Sequence, residues 1–121
     1  MDKIPIASDL YTSSKIFRKL IEENDDEIKK IIAQNTNVPV DVLKKLAKEN
    51  NVEIKIAIAK NPITPRKLLK YLIFWRNVQE LQLAISNHPN TPKELIARLT
   101  RSKWKNVREN AKTKFIEINE K

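Results

Sequence analysis

The stretch Ile58–Leu72 reads I-A-K-N-P-I-T-P-R-K-L-L-K-Y-L, and altered copies of it occur elsewhere in the 121-residue chain. Pro39 and Pro65 are 26 residues apart, and Pro65 and Pro92 are 27 apart. Subtracting 26 from Pro39 gives Ser13, around which the same apolar pattern holds. A fixed period between about 20 and 50 residues indicates an array of similar units stacked on one another.

Apolar residues recur three, four and seven positions after each of these repeat markers. This spacing places them on one face of an α-helix, so we expect the whole set to be core. The twelve residues of this set are Ile16, Phe17, Leu20, Val42, Leu43, Leu46, Leu68, Leu69, Leu72, Leu95, Ile96 and Leu99. The chain also lacks glycine, which suits helices joined by short turns and disfavours hairpin-rich sheets.

The ends of the predicted helices have their own signals. Thr64-Pro65 and Thr91-Pro92 predict helix starts in which threonine caps the helix and proline takes its first position. Glu94 would complete a capping box with Thr91. Asparagine can replace glycine at the left-handed residue that closes a helix, and we expect this of Asn24, Asn50 and Asn77. Acidic residues are expected in the first turn of the other helix of each unit, at Glu27, Glu53 and Glu80.

The motif I-A-K-N-P-x-T-P-x-x-L-L-x-x-L at Ile58–Leu72 and its copy S-N-H-P-N-T-P-K-E-L-I-A-R-L at Ser86–Leu99 resemble the leucine-rich repeat variant family. The resemblance covers roughly residues 4–115 and implies a right-handed superhelix of alternating α-helices and short or 3₁₀ helices. Units of 26–27 residues are longer than the family's usual repeat. We therefore expect the second helix of each unit to reach a full α-helical turn or more, closer to a HEAT-like pair.

These patterns predict a single all-α domain over residues 1–121, a short α-solenoid of about four helix-pair repeats with a C-terminal capping helix, and the resemblance implies that the solenoid is right-handed. The predicted parts are an N-terminal capping unit at 1–24, complete repeats at 27–51, 53–77 and 80–103, and the capping helix at 107–118.

Charge is distributed unevenly along the chain. The 24 Lys/Arg and 15 Asp/Glu give a net charge of +9. Residues 1–60 hold 11 basic and 10 acidic residues, whereas residues 61–121 hold 13 and 5, a balance of +8. Such asymmetry suggests an anionic partner for the C-terminal half. The alternative is that Lys and Arg are simply good helix formers on solvated faces.

Residue types typical of catalysis are scarce. The founding member of the family carries a cysteine-bound iron–sulfur cluster, but this chain has no cysteine, which excludes that cofactor. Its one histidine, His88, takes the turn position of Asn35 and Asn61, so we expect a structural role for it. Neither a catalytic triad nor a zinc site can be built locally, and a glycine-rich phosphate loop is excluded. We predict a non-enzymatic protein with no cofactor and no metal.

Departures from the repeat mark the candidate sites. The second complete repeat has Tyr71, Phe74 and Trp75 where the other repeats have mostly charged residues. Aromatic side chains are typical of protein interaction hot spots, so we predict that these three bind a protein partner or a second copy of the chain. For Trp75 and Trp104 the alternative is a packing role at the turns between units.

Basic residues interleaved with an aromatic residue also suit nucleic acid, because cations pair with phosphates and aromatic rings stack on unpaired bases. The predicted nucleic-acid-binding residues are Arg66, Lys67, Lys70, Arg98, Arg101, Lys103, Trp104, Lys105 and Arg108.

Two functions therefore stay open. The first is a protein-interaction adaptor or scaffold, with self-association as one form of it. The alternative is nucleic-acid backbone binding, to DNA or RNA, through the basic C-terminal half. The chain has no apolar stretch near 18 residues, and its first ten residues, M-D-K-I-P-I-A-S-D-L, lack the features of a signal peptide. We expect a cytoplasmic protein with no membrane contact.

Overall fold

The computed structural model describes residues 14–75 and 78–120, and regular structure in these ranges is entirely α-helical. This confirms the predicted all-α class for the described part of the chain. The eight helices are α1 Ser14–Ile21, α2 Asp26–Gln34, α3 Val40–Ala47, α4 Val52–Lys60, α5 Arg66–Ile73, α6 Gln79–Asn87, α7 Lys93–Leu99 and α8 Lys105–Asn119.

The helices begin at regular intervals. α2, α4, α6 and α8 begin at residues 26, 52, 79 and 105, in steps of 26, 27 and 26. α1, α3, α5 and α7 begin at residues 14, 40, 66 and 93, in steps of 26, 26 and 27. α2, α4 and α6 are each nine residues long, more than two full α-helical turns. The helices with an acidic first turn are therefore α-helices, as the long repeat predicts.

The chain divides into two compact units, Met1–Thr64 and Pro65–Lys121. In the first unit, α4 packs against α2 and α3, and α1 packs against α2. In the second unit, α8 packs against α6 and α7, and α6 also packs against α5 and α7. The first unit has 11 basic and 10 acidic residues and the second has 13 and 5, so the charge asymmetry of the sequence follows this division.

Eleven of the twelve expected core residues are buried, and Ile16 is the exception at 41% exposed. The equivalent residue of α3, Val42, is completely buried. The difference follows from packing, because α3 contacts both α2 and α4 whereas α1 packs mainly on α2. The prediction that Ile16 belongs to the core is therefore wrong.

The expected threonine caps are also wrong. Pro65 has an extended backbone and stands before the first residue of α5, with no side chain capping that helix. Thr64 is buried, and its Oγ1 donates to the carbonyl of Ile58 at 2.6 Å. Thr91 makes the same bond to Ile85 at 2.6 Å. Carbonyls in the last turn of a helix lack partners within it, so each threonine closes the preceding helix instead of opening the next.

Asparagines act in the turns in two ways. Asn24 has a φ of 57°, as expected of a left-handed residue after a helix. Asn50 does not have a positive φ, and its neighbour Asn51 instead caps α4 by accepting from the Ile54 N–H at 3.1 Å. Asn77 lies outside the described residues. Glu27, Glu53 and Glu80 do stand in the first turns of α2, α4 and α6.

The repeated turn position has a constant hydrogen bond. The Oδ1 of Asn35 accepts from the Asn37 N–H at 2.8 Å, and the Oδ1 of Asn61 accepts from the Ile63 N–H at 3.2 Å. His88 is 7% exposed, and its Nδ1 accepts from the Asn90 N–H at 3.0 Å. The imidazole therefore replaces the asparagine amide in the same turn, which is the structural role expected for it.

Two lysines are buried in the first unit. The Nζ of Lys29 donates to Asn24 Oδ1 at 2.6 Å and forms an ion pair with Glu49 at 2.7 Å. Lys55 is 1% exposed, and its Nζ donates to the carbonyl of Ala47. Burial lowers the pKa of Lys55 below its usual 10.5, and the nearby Glu49 carboxylate partly opposes this effect.

Candidate partner-binding groove

An open groove of about 970 Å³ lies in the second unit. It is bordered by the end of α5, by α6, by α7 and by the turn that follows α7. Its charged lining consists of Arg98, Arg101 and Lys103, with Glu94 as the one carboxylate among the lining residues. The groove is therefore a cationic surface, and we refer to it as the Phe74 groove after the aromatic residue at its edge.

Apolar side chains form the rest of the wall. Phe74 is 67% exposed, the highest value among the exposed large hydrophobic residues described. The guanidinium carbon of Arg98 lies 4.6 Å from the centroid of its ring. This distance suits a cation–π interaction, which holds ring and guanidinium together at the surface. Ile73 and Leu99 add buried apolar surface beside them.

Two departures from the repeat meet in this groove. Phe74 takes the position that is Lys48 in the preceding repeat and Arg101 in the following one. Ala97 takes the position of Lys44 and Lys70. Both residues line the groove although they belong to different helix pairs. An aromatic ring therefore stands at its edge, and a methyl group leaves open the space that a lysine side chain would occupy.

The turn after α7 is fixed from two sides. The buried hydroxyl of Ser102 donates to Gln82 Oε1 at 2.7 Å, which ties the turn to α6. The Nη1 of Arg108 donates to the carbonyls of Ser102 at 3.0 Å and Lys103 at 2.9 Å, which ties the turn to α8. These bonds position the backbone that bears Arg101 and Lys103.

The three predicted partner-binding aromatics do not share one site. Phe74 lines the groove, whereas neither Tyr71 nor Trp75 is among its lining residues. Tyr71 is 48% exposed and lies three residues before Phe74. Residues three positions apart lie on the same face of a helix, so the two rings are neighbours at the end of α5. Trp75 is half-buried. The exposed aromatic surface is therefore formed mainly by Phe74 and Tyr71.

The predicted nucleic-acid residues fall into separate groups. Arg98, Arg101 and Lys103 line the Phe74 groove. Arg66 and Lys67 line a second open groove of about 610 Å³ at the start of α5. The eight residues of α5 span roughly 12 Å, so its two ends are separate parts of the surface. Lys70 is exposed and lines neither groove.

The three other predicted residues, Trp104, Lys105 and Arg108, have local partners. The ring of Trp104 is half-buried and lies 4.6 Å from the Nζ of Lys103. Lys105 is 3.9 Å from Glu109, one helical turn away. Arg108 holds the turn after α7 through the two carbonyl bonds described above. Its position explains how it supports the groove, although it is not among the lining residues.

Sequence reasoning missed several lining residues. They are Ile73, Gln82, Glu94, Ala97, Leu99 and Ser102. Ala97 had a visible signal, because it interrupts a position that is otherwise basic. Glu94 was assigned to a capping box, but α7 has no side-chain cap and the carboxylate faces the groove. Ile73 and Leu99 resemble any other core position.

Other features of the described residues are negative findings. Within 14–75 and 78–120, no group of three or more His, Cys, Asp or Glu side chains is arranged to hold a metal ion. None of the described helices combines the length and apolar character needed to cross a membrane. The chain matches no family model, no curated protein and no solved structure.

Proposed function

We propose that this chain is a non-catalytic binding module that acts as a protein-interaction adaptor, and that the Phe74 groove holds an acidic segment of the partner. The observation that supports this is the meeting of two repeat departures, Phe74 and Ala97, in one cationic groove. If Phe74 and Ala97 served only the packing of their own repeats, they would not be expected to line the same surface groove.

The lining suits a polypeptide with both apolar and acidic side chains. Phe74 and Arg98 offer an aromatic ring and a planar cation, the residue types enriched in interaction hot spots. Burying apolar surface contributes about 25 cal/mol per Å². Exposed ion pairs contribute only about 0.2–1 kcal/mol each, so the cations mainly orient and attract the partner.

Nucleic-acid backbone binding is the second candidate. The observation that favours it is that Arg66, Lys67, Lys70, Arg101 and Lys103 form no ion pair with any described residue. Unpaired cations on a unit with a balance of +8 can neutralise phosphates with little sequence preference. Because the two grooves lie at different ends of α5, the basic residues are spread over a longer path for a phosphate backbone than the sequence suggests.

We further propose that the helix pairs stack as a short right-handed α-solenoid of the leucine-rich repeat variant kind, capped by α8. The constant spacing of the helix starts supports this. A single repeat domain with a cytoplasmic location completes the proposal.

The test is a fluorescence titration of the full chain with a labelled Glu- and Asp-rich peptide that contains one central Phe. We expect saturable binding that weakens with salt. Arg98→Glu combined with Arg101→Glu should weaken it at least about tenfold, since two attractive contacts become repulsive. The matched control is Lys45→Glu with Lys48→Glu, which reverses the equivalent positions of the first unit.

The outcomes separate the two candidates. Peptide binding that is lost with the groove variant and kept with the control supports the adaptor. Binding of single- or double-stranded oligonucleotides with a steep salt dependence, without peptide binding, supports the second candidate. If both charge reversals have the same effect on the peptide, the groove is not a specific site.

A further inference from the structure

The first unit presents an acidic turn between α1 and α2. Residues 22–27 read E-E-N-D-D-E, five carboxylates in six residues, and all six are exposed. No other six-residue stretch of the chain has as many acidic residues. This turn stands in a unit with a balance of only +1, so its charge is local.

The acidic turn has a fixed shape. Asp25 Oδ1 accepts from the N–H groups of Glu27 at 2.9 Å and Ile28 at 3.2 Å, which caps α2. Asn24 has a left-handed backbone, and its side chain is bound by the buried Lys29 Nζ at 2.6 Å. A turn that is already ordered loses less conformational entropy when it binds.

Three carboxylates of the turn are available to a partner. Glu22, Asp26 and Glu27 are exposed and form no ion pair with any described residue. The Phe74 groove presents three cations, Arg98, Arg101 and Lys103. The chain therefore has an acidic element in one unit and a basic groove in the other.

We infer that the acidic turn of one copy of this chain binds the Phe74 groove of a second copy. This inference rests on the proposed function and names the chain itself as the partner that supplies the acidic segment. Ile21, half-buried directly before the turn, gives an apolar neighbour for the ring of Phe74.

Charge also determines the arrangement of the copies. A two-fold contact between grooves would bring two surfaces of the same sign together, which is unfavourable. Each contact therefore joins the acidic turn of one copy to the basic groove of another, either reciprocally in a two-fold dimer or head to tail along a chain. A reciprocal contact stops at a dimer, whereas a head-to-tail contact that does not close into a ring continues into open chains, and in both cases the average mass rises with concentration.

The experiment is sedimentation velocity of the full chain at several protein concentrations, in low and in high salt. We expect the average mass to rise with concentration in low salt and to return to the monomer in high salt. Glu22→Gln with Asp26→Asn and Glu27→Gln removes the acidic partner and should weaken self-association at least about tenfold. Glu117→Gln with Glu120→Gln is the control and should associate as the unchanged chain does.

A mixing experiment tests the direction of the contact. Arg98→Glu with Arg101→Glu blocks the groove, and the triple substitution of the turn blocks the other end. Each variant alone should be monomeric, whereas their mixture should form a one-to-one dimer and nothing larger. For each variant, a far-UV circular dichroism spectrum equal to that of the unchanged chain excludes loss of fold as the cause.

Two results would overturn the inference. A chain that stays monomeric at every concentration in low salt does not self-associate, and a turn variant that associates like the unchanged chain does not use the turn. The labelled acidic peptide distinguishes this failure from that of the proposed function. If the chain stays monomeric but binds the peptide, the groove is a site for another protein. If it binds neither a second copy nor the peptide, both proposals fail.

Discussion

Replacing Asn61 with alanine should destabilise the first unit, because this side chain joins the ends of α2 and α4. Asn61 is 2% exposed. Its Nδ2 donates to the carbonyls of Ala33 at 2.9 Å and Asn35 at 3.0 Å, and its Oδ1 accepts from Ile63 at 3.2 Å. Each such bond contributes about 0.5–1.5 kcal/mol net, so the loss of three should cost about 3 kcal/mol.

This cost is a large part of the stability of a small protein, which is about 5–15 kcal/mol. Urea unfolding followed by far-UV circular dichroism measures it directly. The control is Asn37→Ala in the equivalent turn after α2, where the side chain is exposed and the change should stay within about 0.5 kcal/mol. Asn61→Asp should be at least as damaging as alanine near neutral pH, because a carboxylate would face two carbonyl oxygens.

A loss below about 1 kcal/mol for Asn61→Ala would refute this reasoning. It would show that the two carbonyls and the N–H group find other partners when the amide is removed. The repeated turn position would then be a consequence of backbone geometry and not a link between helix pairs.

Three further predictions concern the core, the aromatic surface and the buried amine. Leu72→Ala removes a completely buried side chain and should lower the free energy of unfolding by ~2–5 kcal/mol; a smaller loss would mean that the core collapses around the gap. Tyr71→Lys with Phe74→Lys should change stability little, since both rings are exposed, and unfolding of this variant would place them in the core. Because the pKa of Lys55 is lowered below 10.5, the unfolded amine is protonated and the folded amine neutral between the lowered value and 10.5. The free energy of unfolding should therefore rise with pH across that interval, and Lys55→Met should remove this part of the rise; an identical pH dependence in the variant would contradict it.

The helices could be predicted from the sequence because their signals are local and repeated. The apolar spacing after Pro39, Pro65 and Pro92 defines one face of α3, α5 and α7 without reference to any distant residue. The buried Val42, Leu69 and Ile96 agree with it.

Details that depend on tertiary competition were not predictable in the same way. A threonine before proline can cap the next helix or close the previous one, and the choice depends on where the preceding carbonyls lie. Thr64 and Thr91 both donate backwards, to Ile58 and Ile85. Ile16 fits the apolar pattern, yet its burial depends on which neighbours pack against α1.

The candidate site was predictable only in part. Phe74, Arg98, Arg101 and Lys103 could be found from their residue types and from the repeat. The groove itself depends on the small side chain of Ala97, and an alanine has no chemical signal of its own. The separate position of Arg66 and Lys67 follows from their place at the other end of α5, which the list of basic residues does not reveal.

The most direct test of the adaptor proposal is the affinity of Ala97→Lys for the labelled acidic peptide. Lysine occupies this position in two other repeats, at Lys44 and Lys70, so the fold should tolerate it. The substitution fills the groove while it adds a positive charge. If the groove is the site, binding should weaken at least about tenfold despite the extra cation. If binding is unchanged or becomes tighter, the peptide is held by charge alone, and the proposed groove is not where the partner binds.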